Sequence, residues 1–160
     1  MATVSIKGVD RLTKRFKEIA NIELKDAVNK ATQLVHGQAK ALAPADTGLL
    51  RESIHLQVKD TGKAVEGRVY TNVEYAAYVE FGTGVKGNGT YPYRVKGLSL
   101  EYKNKGWAYY DEDNGEWIYT KGQKAQPYMY PALKQSEKAI KQIIRQGVHT
   151  KLKEKCKGGQ

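Results

Sequence analysis

Two short glycine-containing motifs and a few scattered histidines are where the spacing of this sequence first suggests chemistry. Asp46-Thr47-Gly48 is the tripeptide of aspartic proteases, in which two such loops face each other and share one proton between their carboxylates. That chemistry places the aspartate at the end of an apolar strand, whereas here Ala43-Pro44-Ala45 leads in from a helical pattern. Pro44, Asp46, Thr47 and Gly48 therefore read as a structural turn: Pro44 fixes φ, Asp46 caps the following backbone, and Gly48 takes the left-handed conformation. Gly82-Thr83-Gly84-Val85-Lys86-Gly87 has the spacing that lets a backbone approach a pyrophosphate at a helix N-terminus. It is followed by Asn88-Gly89-Thr90-Tyr91-Pro92-Tyr93, which cannot open that helix, so nucleotide binding is not expected.

His36, His55 and His149 fall on three different predicted elements, with no cysteine or carboxylate at metal-ligand spacing. Cys156 is a single cysteine, which excludes an intrachain disulfide and suits a reducing compartment. Paired with His149 it lacks the rigid third group that a catalytic cysteine needs. The sequence thus offers no catalytic, cofactor-binding or metal-ligating set, and a non-enzymatic protein without a cofactor is expected.

The elements that position these residues follow from hydrophobic periodicity. Val9, Leu12, Phe16, Ile19 and Ala20 recur at spacings of three and four, predicting a short helix. Leu24, Ala27, Val28, Ala31, Leu34, Val35, Ala39 and Leu42 predict a second over 22–43, ended by Pro44 because the residue before a proline avoids helical geometry. Ile54, Leu56 and Val58 alternate with His55, Gln57 and Lys59 as a half-buried strand, and 65–71 returns beside it after the turn Asp60-Thr61-Gly62-Lys63. Residues 75–81 read as a short helix or irregular segment, and 82–89 as loop. A second hairpin is expected over 107–120, its aromatic strands flanking Asn114-Gly115, the preferred type I′ dipeptide, with Asp111, Glu112, Asp113 and Glu116 solvating the tip. Pro131 opens a last helix carrying Leu133, Ile140, Ile143, Ile144 and Val148.

The expected fold is a single α+β domain over residues 1–150. It has an antiparallel sheet, a long N-terminal helix and a C-terminal helix packed on it, and a loop and aromatic hairpin inserted over 85–123. Residues 151–160, rich in lysine and poor in apolar groups, are expected to form a basic flexible tail. The opening residues lack a signal-peptide pattern and no apolar run approaches the ~18 residues of a membrane span, so a soluble, unexported chain with no membrane contact is expected.

Charge and aromatic content are unevenly placed. The net charge is +10 over 160 residues, and most of it comes from the end, where Lys134, Lys138, Lys141, Arg145, Lys151, Lys153, Lys155 and Lys157 outnumber Glu137 and Glu154. All 11 tyrosines lie between Tyr70 and Tyr130. A basic end beside a stacking-capable middle supports one alternative, a small nucleic-acid-binding protein using the C-terminal helix and tail. Lys151, Lys153, Lys155 and Lys157 would then contact DNA non-specifically, or an acidic partner. The same lysines serve equally as the solvated face of an amphipathic helix.

Three blocks carry a resemblance: Ala43-Pro44-Ala45-Asp46-Thr47-Gly48-Leu49-Leu50-Arg51-Glu52-Ser53-Ile54, then Tyr75-Ala76-Ala77-Tyr78-Val79-Glu80-Phe81-Gly82-Thr83-Gly84, then Ala125-Gln126-Pro127-Tyr128-Met129-Tyr130-Pro131-Ala132-Leu133. In this order they are similar to the tail-completion, or head–tail joining, family of long-tailed bacteriophages and prophages. The resemblance implies a virion protein assembled in the host cytoplasm. It implies a homo-oligomeric ring of six subunits at the neck, with DNA crossing its lumen and the head connector and tail proteins as partners. Leu49 and Leu50 are expected to seal the corner after the first block. Tyr78, Glu80, Phe81, Gly82, Thr83, Gly84, Trp107, Trp117 and Tyr128 are expected at a subunit or partner interface. The Glu80-Phe81-Gly82 stretch is read as the edge of a mobile insertion loop, where Phe81→Ala should spare the fold.

Overall fold

The computed structural model describes residues 9–45 and 48–157, with side chains over 24–45, 48–150 and at Lys153. The first element, α1, runs from Val9 to Leu42 as one helix of 34 residues, about 50 Å at 1.5 Å per residue. The two helices expected from the sequence are continuous because Asn21-Ile22-Glu23 contains neither glycine nor proline to break them. Lys40 sits in the last turn, where its charge suits the helix dipole, and Pro44 ends the run as expected.

After the corner come a single helical turn α2 (Leu49–Glu52), strands β1 (Ile54–Asp60) and β2 (Val65–Thr71), and the short helices α3 (Ala76–Phe81) and α4 (Gly84–Gly87). Strands β3 (Trp107–Asp111) and β4 (Glu116–Thr120) follow, and the chain closes with α5 (Met129–Lys157). The strands form two separate two-stranded sheets, β1-β2 and β3-β4, each of consecutive strands joined by a short turn and therefore antiparallel. The α+β class with N-terminal and C-terminal helices is thus the observed one.

Helix α5 continues past Thr150 to Lys157, where a flexible tail was expected. Lysine and glutamate are good helix formers, and neither glycine nor proline occurs between Thr150 and Lys157 to break the run. The second hairpin also differs in detail. Asp111 pairs with Glu116, so the connection is the four residues 112–115 and not a two-residue type I′ turn. Gly115 alone takes positive φ, at 69°, and its N–H donates to the Asp111 carbonyl at 2.7 Å. The Asp111 carboxylate accepts from the Asp113 N–H at 3.2 Å and the Asn114 amide at 2.7 Å, which closes the loop locally.

The chain groups into two compact units. One comprises 9–36, Leu56–Val69 and 135–157; the other comprises Gly37–His55 and Tyr70–Lys134. In the first, Ala27, Ala31, Thr32 and Val35 are the buried face of α1. Small residues set its packing: a side chain at Gly67 of β2 would strike Thr32, and one at Gly147 of α5 would come within 2.9 Å of the Ala27 Cβ. Buried Thr32 satisfies its hydroxyl by donating to the Val28 carbonyl one turn back, at 2.7 Å.

The core of the second unit holds Ala39, Ala43, Leu50, Ile54, Ala76, Tyr128 and Ala132. Gly48, at φ 80°, starts α2, and the Arg51 Nε returns to donate to the Ala43 carbonyl at 2.9 Å. That bond satisfies a backbone acceptor released where α1 ends. Ser53 donates to the Leu50 carbonyl and pairs with the Thr71 hydroxyl, each at 2.8 Å, fixing the start of β1 against the end of β2. Asp46 and Thr47 of the expected turn lie outside the described residues.

Candidate partner-binding groove

Glu80 organises this region from behind its surface. Helix α3 turns the side chain inward, leaving Glu80 5% exposed. One carboxylate oxygen, Oε2, accepts from the N–H groups of Tyr128 at 2.7 Å and Met129 at 2.9 Å, and Oε1 accepts from Tyr130 at 3.1 Å. These are the donors that an α-helix leaves unpaired at its first turn. The next residue, Pro131, has no N–H to offer, and the Ala132 N–H already reaches the Tyr128 carbonyl at 3.3 Å. A single buried carboxylate thereby completes the start of the 29-residue α5, with its charge at the positive end of the helix dipole.

The aromatic neighbours register that charge. Burial, followed by the Glu80 charge, raises the Tyr128 hydroxyl to a pKa of about 12. Tyr91 is also raised to about 12, by burial first, then by Glu80 and the neighbouring tyrosines. Tyr91 belongs to a row of rings: Phe81 to Tyr91 at 5.1 Å, Tyr91 to Tyr93 at 5.6 Å and Tyr93 to Tyr130 at 4.9 Å between centroids.

The glycine-rich segment after Glu80 is pinned and not a free insertion loop. Thr83 and Gln123 exchange backbone hydrogen bonds at 2.9 and 3.2 Å, the Lys86 N–H donates to the Lys121 carbonyl at 3.1 Å, and the Gln126 N–H donates to Val79 at 2.8 Å. The Gln123 side-chain amide adds a bond to the Tyr78 carbonyl at 3.1 Å. Glycine is required for this approach. Gly82 has φ 78° and ψ 173°, and a Cβ there would lie 2.7 Å from the Ala125 nitrogen. Gly84 has φ 60°, and its Cβ would lie 2.6 Å from the Lys121 carbonyl oxygen. The segment expected as loop also contains the helical turn α4.

In front of this scaffold lies an open groove of about 1160 Å³. Leu49, Tyr75, Tyr78, Phe81, Tyr102 and Trp107 give it its apolar character, and Pro44 and Gly48 contribute at one margin. Leu49 and Tyr78 are each 58% exposed and Tyr75 is 41% exposed. The Tyr102 hydroxyl donates to the Phe81 carbonyl at 2.9 Å, and the Lys103 ammonium stands 5.2 Å from the Trp107 ring centroid.

The residues singled out in the sequence divide accordingly. Tyr78, Phe81, Gly82, Thr83, Gly84 and Trp107 line the groove together. Glu80 and Tyr128 are corrected to interior positions, the latter 1% exposed. Trp117, 73% exposed, stands opposite Tyr110 in the hairpin register and lines no part of the groove. Lys153 is exposed on α5, while the side chains of Lys151, Lys155 and Lys157 lie outside the described residues. Leu50 seals the corner as expected, but Leu49 faces outward. Tyr75 and Tyr102 were missed; Tyr75 stands within the matching second block, which was the available signal. Phe81 is half-buried against Tyr91, so its truncation would disturb the fold and is not a clean surface test.

Among the described residues no group of three His, Cys, Asp or Glu side chains is placed to hold a metal ion, and no helix is long and apolar enough to cross a membrane. No curated protein and no solved structure gives a significant match to the chain. Residues 7–82 match the model of the HK97-gp10-like family, described as "Bacteriophage HK97-gp10, putative tail-component". That stretch contains the corner, the first hairpin and the α3 helix that carries Glu80. Over those residues, a little under half of its length, the chain is similar to the HK97-gp10-like family of phage tail components.

Proposed function

We propose that this protein completes the tail or joins it to the head, as a non-enzymatic structural component of the virion. In this reading it works as a ring of six copies at the neck, with DNA crossing the lumen and the head connector and tail proteins on either side. The observation that carries the proposal is the groove itself. Buried hydrogen bonds and obligatory glycines hold a surface on which Leu49, Tyr75 and Tyr78 stay exposed, and large exposed apolar groups on a fixed scaffold suit a protein contact. The tail-component family match over 7–82 supports the same reading. Assembly takes place in the host cytoplasm, and the finished protein resides in the particle.

The test is electron microscopy of particles produced without this protein. Separate filled heads and tails are expected; intact, infectious virions would refute the proposal. The alternative of a nucleic-acid-binding protein is favoured by one observation, the exposed Lys138, Lys141, Arg145 and Lys153 along α5. It requires DNA retention that falls steeply with salt.

A further inference from the structure

The β3-β4 hairpin carries a surface that the groove does not use. Its register places Tyr110 opposite Trp117 and Ala108 opposite Tyr119, and these four residues share one face because side chains alternate along a strand. Tyr110 is 51% exposed, Trp117 73% and Tyr119 65%, with Tyr110 and Trp117 stacked edge to face at 5.7 Å. The same segment, 107–120, contains Asp111, Glu112, Asp113 and Glu116 and no basic residue, within a chain of net charge +10. Exposed ring faces beside a carboxylate cluster suit a row of lysine and arginine side chains: ring faces attract cations, aliphatic stems cover the rings, and the carboxylates pair the heads. The hairpin shows this chemistry on its other face, where Lys103 stands over Trp107 at 5.2 Å.

The chain presents such a row. Lys138, Lys141 and Arg145 are exposed on α5 at spacings of three and four, which puts them on one helical face; Lys141 also pairs with Glu137 at 2.8 Å. We infer that the aromatic, acidic hairpin of one copy docks on the basic face of α5 in a second copy. Two different surfaces then meet, the head-to-tail type of contact that closes into a ring. This inference rests on the assembly reading above and names the contact that would build the oligomer.

Sedimentation of the full chain over a concentration series, at low and high salt, tests it. Self-association is expected at low salt and should weaken as salt rises. Glu112→Lys with Asp113→Lys, or Lys138→Glu with Arg145→Glu, should each weaken association about 100-fold through like-charge opposition. An equimolar mixture of the two variants should restore it. Trp117→Ala, which leaves every charge in place, should weaken it about tenfold. A wild-type chain that stays monomeric at every concentration in low salt overturns the inference, leaving the particle experiment to judge the assembly reading. Self-association that ignores both reversals also overturns it, with the contact elsewhere and the assembly reading intact. If the α5 reversal abolishes DNA retention while association is unchanged, the basic face belongs to nucleic acid and the inference fails.

Discussion

The segments 80–87 and 107–120 look alike in composition, each mixing aromatic residues, acids and glycine, yet they use them in opposite ways. In the first, the carboxylate of Glu80 is buried on the N-terminus of α5 and the glycines admit a neighbouring backbone. In the second, the acids sit at a solvated tip and Trp117 and Tyr119 lie open. The difference teaches that a glycine-aromatic stretch marks close approach or an exposed contact according to what its backbone groups bond to. Bonds from 83 and 86 to 121–123 fix the first segment, whereas the second bonds chiefly within its own hairpin.

Substitutions should separate the two segments sharply. Gly82→Val carries the largest expected cost, about 4 kcal/mol, because a side chain there combines a conformation essentially reserved for glycine with overlap on the Ala125 and Gln123 backbone. Urea unfolding monitored by circular dichroism measures it, and a loss under about 1 kcal/mol would mean that the close approach is not obligatory. Glu80→Ala should follow at about 3 kcal/mol, since it strips three backbone donors, one buried and two part-buried, of their acceptor. Hydrogen exchange should then show the first turn of α5 opening before the rest of that helix.

Alkaline pH should probe the same interior. Tyr91 and Tyr128, raised from 10.0 to about 12, hold their protons more tightly folded than unfolded. Their contribution is therefore complete below pH 10 and is lost as pH rises towards about 12. Stability should fall across that window, and less steeply in Tyr91→Phe; equal slopes would detach Tyr91 from the effect. The smallest change in stability belongs to the hairpin, where Trp117→Ser should alter unfolding by no more than about 0.5 kcal/mol. A large destabilisation there would show that its aromatic face supports the fold.

Local periodicity made much of the fold legible. Ile54, Leu56 and Val58 alternate because one face of β1 is covered, and that pattern needs no knowledge of the cover. Pro44 marked the end of α1 for the same local reason. The role of Glu80 was not legible, because its acceptor bonds go to backbone groups 48 to 50 residues away and leave no side-chain signature. Leu49 and Leu50 are adjacent and identical in type, so only the geometry of α2 could show that Leu50 is buried and Leu49 is not. Asn114-Gly115 was a sound turn signal, but the Asp111 side chain and carbonyl favour a longer loop.

We propose that the groove held by Glu80 and the glycines is where this protein meets its neighbours. The most direct test is electron microscopy of particles assembled with the Leu49→Asp, Tyr78→Asp variant, in which both substitutions fall on residues 58% exposed. The account predicts a folded protein that leaves filled heads and tails unjoined; joined, infectious particles at wild-type yield would contradict it.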